Sequence, residues 1–391
     1  MPPFTPQLTS RLPAVGTTVF TTMSNLAAQH DAVNLGQGFP DFGCDPALPA
    51  LVTDAMAAGH NQYPMMTGVP ALRQAVAAKI ATLYGHEYDA SLEITITSGA
   101  SQALMTAILC AVHPGDEVIV IEPAYDLYLP AIALAGGVAV PVAMSLTEGG
   151  YSVAWARVAA AVTARTRMIV INSPHNPTGT ILRRADLEAL AAIVRGSDIL
   201  ILSDEVYEHM VFDGAAHESV CRHPELAARA FVVSSFGKTY HVTGWKVGYV
   251  AAPAPLMTEF RKVHQYNVFT VNTPMQHAIA GYMADPAPYL ELPAFYQAKR
   301  DLFRAGLGAS RFTLLPADGT YFQCVRYDAI SSLPEAEFAR WLTATARVAA
   351  IPMAAFYRDG TESGIGPGVI RFCFAKQDAT LRLALERLAA L

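Results

Sequence analysis

The run Phe231-Val232-Val233-Ser234-Ser235-Phe236-Gly237-Lys238-Thr239-Tyr240-His241-Val242-Thr243-Gly244-Trp245-Lys246-Val247-Gly248 opens on a short apolar strand and delivers a lysine four positions beyond its end. Lysine is among the residues least often buried, so its ordinary place is a solvated surface. Here it follows a continuous apolar strand of the kind that helices cover on both faces, with Gly237 directly before it. A lysine desolvated in this way is the group that forms Schiff bases with carbonyl compounds. A second apolar run, 247–251, follows at once.

The same texture extends upstream. Apolar, β-branched runs at 94–97, 118–121, 138–142, 168–171, 199–202, 231–234 and 247–251 alternate with helical patterns at 102–112, 154–161 and 184–194. That alternation predicts an α/β fold, a doubly wound and mostly parallel sheet of seven strands with crossover helices. Beyond about residue 275 the pattern changes to long helices, 274–283 and 292–307, then short strands near 321–325 and 369–374, which predicts a second, smaller α+β domain. The first forty residues have no clear place in the main sheet. The expected division is therefore an N-terminal segment, 1–45, joining the small domain, a large domain over 46–282 and a small C-terminal domain over 283–391.

Composition excludes several classes. The chain has 391 residues, 52% hydrophobic and 15% charged, which rules out a disordered chain and gives enough length for two domains. With 27 Lys+Arg against 33 Asp+Glu and no basic cluster, no nucleic-acid partner is expected. The five cysteines, Cys44, Cys110, Cys221, Cys324 and Cys373, are scattered and never in a C-x-x-C pair, so neither a disulfide framework nor a metal site is expected, and a reducing cytoplasm fits best. The absence of an apolar run near the N-terminus gives no support for a secretory signal. The uncharged stretch 127–147 has the length of a membrane span, but Pro130, Gly136, Gly137 and Pro141 interrupt it; it reads as a buried helix, a turn and a strand.

Ligands in open α/β sheets bind beyond the carboxyl ends of the strands. After 94–97 comes Ser98-Gly99-Ala100-Ser101-Gln102, a small-residue turn opening a helix, suited to phosphate or, equally, to an ordinary helix cap. After 118–121, Glu122-Pro123-Ala124-Tyr125 offers either an aromatic face or a core tyrosine. The run 168–171 ends in Asn172-Ser173-Pro174-His175-Asn176-Pro177-Thr178-Gly179, a dense cluster of amides and prolines. Asp204, in Ser203-Asp204-Glu205-Val206-Tyr207, follows a strand covered on both faces and needs a partner unless it caps the next helix. Together these parts ask for a cofactor carrying an aldehyde, a phosphate, an aromatic ring and a basic ring nitrogen, and pyridoxal 5′-phosphate has all four.

With these residues in view, the chain from about Val33 onward resembles the fold-type I, class I pyridoxal-phosphate aminotransferases. V-N-L-G-Q-G-F-P-D-F (33–42), N-Q-Y (61–63), N-P-T-G (176–179), S-D-E-V-Y (203–207) and S-F-G-K-T with G-W-K-V-G (235–248) stand in the family's order and spacing. The resemblance is greatest to the methionine aminotransferase and kynurenine or glutamine aminotransferase branch. It implies an aspartate-aminotransferase-like fold, with Lys238 bonded to the cofactor aldehyde and Asp204 paired with the ring nitrogen. Asn176 and Tyr207 would hold the ring oxygen and Tyr125 would stack on the ring. Gly99, Ala100, Ser101, Ser235 and Lys246 would hold the phosphate, Lys246 standing where many relatives carry arginine. Tyr63 would join the cofactor-binding residues from a second subunit of a homodimer, and Phe269 would cross the same interface to the substrate. Arg371, with Asn172 and the Gly38 amide, would bind the substrate carboxylate. Phe20 stands where kynurenine-processing relatives commonly have tryptophan.

The reaction so implied is transfer of an amino group from an amino acid to a 2-oxo acid, with Lys238 as cofactor anchor and general base. The segment 265–273 has no charge, and Phe20, Tyr63 and Phe269 suggest an apolar, sulfur-tolerant pocket. Methionine leads the expected donors, followed by aromatic amino acids, kynurenine and glutamine. A carbon–sulfur β-lyase on the same residues is the alternative chemistry, and a non-catalytic ligand-binding module the alternative class.

Overall fold

The computed structural model describes residues 8–358 and 368–391. All seven expected strands fall in one sheet, in the spatial order Ile94–Thr97, Gly248–Ala251, Ala230–Ser235, Leu200–Asp204, Thr166–Asn172, Glu117–Glu122, Val138–Ala143. Gly248–Ala251 runs antiparallel to both of its neighbours; the other adjoining pairs are parallel. The reversal follows from the connection. Ala230–Ser235 is joined to Gly248–Ala251 only by one turn of helix, Phe236–Thr239, and a 3₁₀ turn, Thr243–Trp245. No crossover helix carries the chain over the sheet, so it returns beside the strand it left.

Both faces of the sheet are covered, and side chains alternate between them with the strand period of two. Ile119, Ile169, Ile201 and Val232 face one core. Val118, Val120, Met168, Val170, Leu202, Phe231 and Val233 face the other. The first layer is closed by Leu72, Val76 and Ile80 of helix Pro70–Tyr84 and by Leu187, Leu190 and Val194 of helix Arg184–Val194. The second is closed by helices Gly99–Ala111, Tyr128–Leu134 and Ala254–Asn267. Each aliphatic side chain buried in these layers contributes roughly 1.5–3 kcal/mol.

The stretch 127–147 forms helix Tyr128–Leu134, a turn through Gly136 at φ +81°, and strand Val138–Ala143. No described helix is long and apolar enough to cross a membrane.

Beyond helix Leu292–Leu307 a four-stranded antiparallel sheet has the order Thr313–Leu314, Phe322–Arg326, Val369–Cys373, Ile351–Pro352. Phe303, Phe312, Phe338, Phe372 and Phe374 make its core. The N-terminal segment is tied to this part of the molecule. Val33–Asn34 pairs in parallel with Val348–Ala349, and the Leu35 carbonyl accepts from the Cys373 N–H at 2.7 Å. That pairing lays residues 35–38 along the strand that carries Arg371.

Candidate active site

The carboxyl ends of five large-sheet strands border one cavity of about 320 Å³, a volume suited to a small organic ligand. Its lining includes Gly99, Ala100, Ser101, Tyr125, Asn172, Asn176, Asp204, Tyr207, Ser235, Lys238 and Lys246 from the large-sheet side. Phe322 and Arg371 of the small sheet and Phe20 and Gly38 of the N-terminal segment complete it.

At one wall the helix expected over 102–112 begins at Gly99, whose φ of +72° brings the chain sharply off the strand. Ser98 makes no side-chain cap, so the N-terminus presents its amides to the cavity, where backbone N–H groups and the helix dipole favour an anion. A Cβ on Gly99 would lie 3.3 Å from Cε of Lys246, and one on Gly248 would lie 3.1 Å from the Ala100 amide nitrogen and 2.7 Å from the Ser234 carbonyl. Two glycines thus let lysine, strand and helix terminus converge.

Asp204 is buried. Its carboxylate accepts from the Tyr128 hydroxyl at 2.7 Å and from the Val206 amide at 3.3 Å. Burial pushes its pKa up from 3.8 to about 6, opposed by those two hydrogen bonds and by the charge of Lys238. The Asn172 side chain donates to the Asp204 carbonyl at 2.8 Å and accepts from the Asn176 amide at 2.8 Å, so one carboxamide braces two adjoining pieces of the wall.

Lys238 sits on the short helical turn after Ala230–Ser235. Its Nζ donates to the Tyr321 hydroxyl at 2.9 Å and to the Gly38 carbonyl at 3.2 Å. Burial lowers its pKa from 10.5 to about 8, within reach of a neutral amine near physiological pH. Tyr207 packs edge-on against Tyr321, with ring centres 5.2 Å apart.

Arg371 is 1% exposed. It donates to Asn176 Oδ1 at 2.6 Å and to the Gly36 carbonyl at 3.1 Å, and its plane lies 3.8 Å from the Phe322 ring centre. Its Nε has no hydrogen-bond partner among the described residues, and no described carboxylate forms an ion pair with it. A buried guanidinium with no carboxylate in ion-pair contact has donors left for an anion; the Asp126 carboxyl lines the same cavity and lies near enough for the charge of Arg371 to act on it.

Tyr63 and Phe269 stand outside this cavity. They meet each other edge-on, ring centres 5.3 Å apart, on an exposed surface where Tyr63 is 80% accessible. Sequence reasoning missed Tyr321, which touches Lys238 from 83 residues away, and Tyr128, which holds Asp204 from 76. For Tyr128 a signal existed, since it stands three residues beyond Tyr125, near enough for the two rings to meet at 5.7 Å between centres. Tyr321 carried no comparable mark.

The residues fit pyridoxal 5′-phosphate: helix-terminal amides for a phosphate, a buried carboxylate for a ring nitrogen, a desolvated lysine for the aldehyde, and an unpaired guanidinium for the amino-acid carboxylate. The family model for aminotransferase class I and II matches residues 30–388. The methionine aminotransferase of Escherichia coli is 50% identical over 390 residues, covering 100% of this chain and 99% of its own. Human kynurenine–oxoglutarate transaminase 1 is 33% identical, with 97% and 96% covered. Among solved structures, an Escherichia coli protein described with a methionine aminotransferase function superposes with a TM-score of 0.95 at 49% identity, covering both chains completely. The N-succinyldiaminopimelate aminotransferase of Mycobacterium tuberculosis gives 0.94 at 39%, covering 98% of this chain and all of that one. The chain belongs to the class I and II aminotransferases. Enzymes of this class use pyridoxal 5′-phosphate and act on amino acids and 2-oxo acids.

Proposed function

We propose that this enzyme takes the amino group preferentially from L-methionine and from other apolar or sulfur-containing amino acids, and delivers it to a 2-oxo acid. The observation that carries the reading is the single carboxylate anchor in an aromatic setting. Arg371 is the one guanidinium among the described residues that line the cavity, and Phe20, Phe322 and Phe356 surround it. A thioether packs favourably against aromatic edges. Among the described residues lining the cavity there is no second guanidinium to answer the distal carboxylate of an acidic amino acid. The 50% identity to a methionine aminotransferase supports the same preference.

Bound pyridoxal 5′-phosphate supplies an aldehyde for the amino group and a ring that takes up the electron pair released when the α-proton leaves. In this reading the chain's own residues do the rest. Asp204 as a carboxylate would keep a proton on the ring nitrogen, Tyr207 and Asn176 would orient the ring oxygen, and Tyr125 would offer its ring to that of the cofactor; all four line the cavity. Gly99, Ala100, Ser101, Ser235 and Lys246 hold the phosphate. Lys238 Nζ would be the amine that holds the aldehyde and, as a free neutral amine, the base for the α-proton. Arg371 would fix the substrate carboxylate in the cavity that Lys238 also lines.

The half-buried and buried cysteines, all free, support a reducing compartment. The exposed Tyr63–Phe269 pair supports a homodimer in which each copy offers these rings to the other. The proposed division into 1–45, 46–282 and 283–391 groups the first segment with the small sheet, in keeping with the Val33–Asn34 pairing.

The test is an absorbance spectrum of the cofactor-loaded protein before and after adding L-methionine without an oxo acid. Collapse of the yellow band, and its return with a 2-oxo acid, is the expected result. A band that persists with methionine and collapses with another amino acid refutes the donor preference. Release of ammonia and a 2-oxo acid from a cysteine conjugate, with no acceptor present, identifies the β-lyase instead.

A further inference from the structure

Tyr321 is wholly buried and is held from every side. Its ring meets Tyr207, Phe322 and Tyr296 at 5.2, 4.9 and 5.6 Å between centres, and its backbone carbonyl accepts from the Phe374 N–H at 2.9 Å. The phenol has one proton, and it goes to the Gly38 carbonyl at 2.5 Å. Its lone pairs are thereby left for Lys238 Nζ at 2.9 Å and for the neighbouring Tyr207 hydroxyl, while the same Gly38 carbonyl accepts from Nζ at 3.2 Å. The approach of Gly38 depends on its lacking a side chain, because a Cβ there would lie 2.9 Å from Cζ of Phe322.

A neutral amine has two N–H bonds and one lone pair. Resting on the assignment of Lys238 as the reacting amine, we propose that the Tyr321 hydroxyl and the Gly38 carbonyl form a cradle that engages both N–H bonds of neutral Lys238 and leaves its lone pair for the cavity. Tyr321 is in this sense a positioning residue. The cradle serves both when the lysine is free to meet an aldehyde and when a substrate amine has displaced it. The ionisable groups that act on Lys238 are Cys373, Arg371, Asp204 and Lys246, with the rings of Tyr207 and Tyr321 beside it. None of the four stands in for the phenol oxygen as a hydrogen-bond acceptor in the structure.

The test uses the cofactor-free full chain and trace acetylation by acetic anhydride, read by mass spectrometry at Lys238 across pH 6 to 11. This gives the pKa of the amine and its intrinsic reactivity without catalysis. Oxygen acceptors favour the ammonium form, so Tyr321→Phe is expected to lower the pKa of Lys238 by about one unit. Loss of lone-pair alignment is expected to reduce labelling of the neutral amine roughly threefold or more. An unchanged pKa with labelling within twofold of wild type overturns the cradle. Tyr321→His, which keeps a ring with an acceptor, is expected to recover part of both effects. It also serves should the phenylalanine variant lose its cooperative unfolding transition. A parallel arm adds pyridoxal 5′-phosphate to wild type. Protection of Lys238 from acetylation upholds the site assignment, and absence of protection removes the assignment itself, independently of what Tyr321→Phe does.

Discussion

Asp204→Asn is expected to stabilise the cofactor-free protein while weakening the loaded one. In the free protein the Asp204 carboxyl has its pKa raised by burial from 3.8 to about 6. The native state therefore holds a proton that the unfolded chain has already released, and stability falls as pH rises through that window. The difference of about two units corresponds to about 3 kcal/mol of destabilisation, fully present above pH 6. Asparagine has the same shape and no charge. It keeps one of the hydrogen bonds from Tyr128 and Val206 in its present sense and forces the other to reorganise, at a cost of about 1 kcal/mol. The variant should be about 2 kcal/mol more stable than wild type at pH 8, and its advantage should shrink by roughly 1.5 kcal/mol at pH 5, where native Asp204 is protonated. Urea unfolding of both apo proteins at the two pH values measures this. Adding saturating pyridoxal 5′-phosphate should reverse the order, because only the carboxylate retains the ring proton. A variant less stable than wild type at pH 8, or an advantage independent of pH, refutes the account.

Other outcomes follow from neighbouring features. Lys238→Ala should reduce transamination by about 10⁴-fold or more, with the yellow band lost from the variant's spectrum. Arg371→Leu removes the carboxylate anchor, and steady-state kinetics should show kcat/KM for methionine falling about 100-fold, mostly through KM. Gly248→Ala sets a Cβ against the Ser234 carbonyl and the Ala100 amide; it should cost about 1–3 kcal/mol in urea unfolding and weaken cofactor binding in a spectral titration. Lys79→Met strands the buried Glu208 carboxylate, which Lys79 holds at 2.6 Å, and should lower stability by about 3–5 kcal/mol, with Glu208→Gln added in the same chain restoring part of it.

The seven strands were legible because their apolar runs are continuous, as burial on both faces requires, and because glycine and proline punctuate them. Helices Arg184–Val194 and Leu292–Leu307 have the bounds expected from their apolar spacing. The reversed direction of Gly248–Ala251 was not legible, since a twelve-residue connection leaves both hairpin and crossover open until its turns are seen. Strands as short as Val33–Asn34 carry no periodicity to detect. Within the site, residues just beyond strand ends could be found from sequence because chain position alone places them. Tyr321 and the Gly38 carbonyl are brought to Lys238 by pairing across 83 and 200 residues, and a backbone oxygen has no letter in the sequence.

The hydrogen bond from Arg371 to Asn176 spans 195 residues and joins the small sheet to a loop of the large one. In the proposed mode of binding, an incoming carboxylate competes for the same guanidinium. Asn176 is in turn held through its amide by Asn172, whose other end grips the Asp204 carbonyl. One line of hydrogen bonds thus runs from the small sheet through two asparagines to the backbone at the strand end that carries Asp204. Two asparagines so fasten the small sheet to the strand ends of the large one, and the seats of the guanidinium and of the acid are set by the same short chain of bonds.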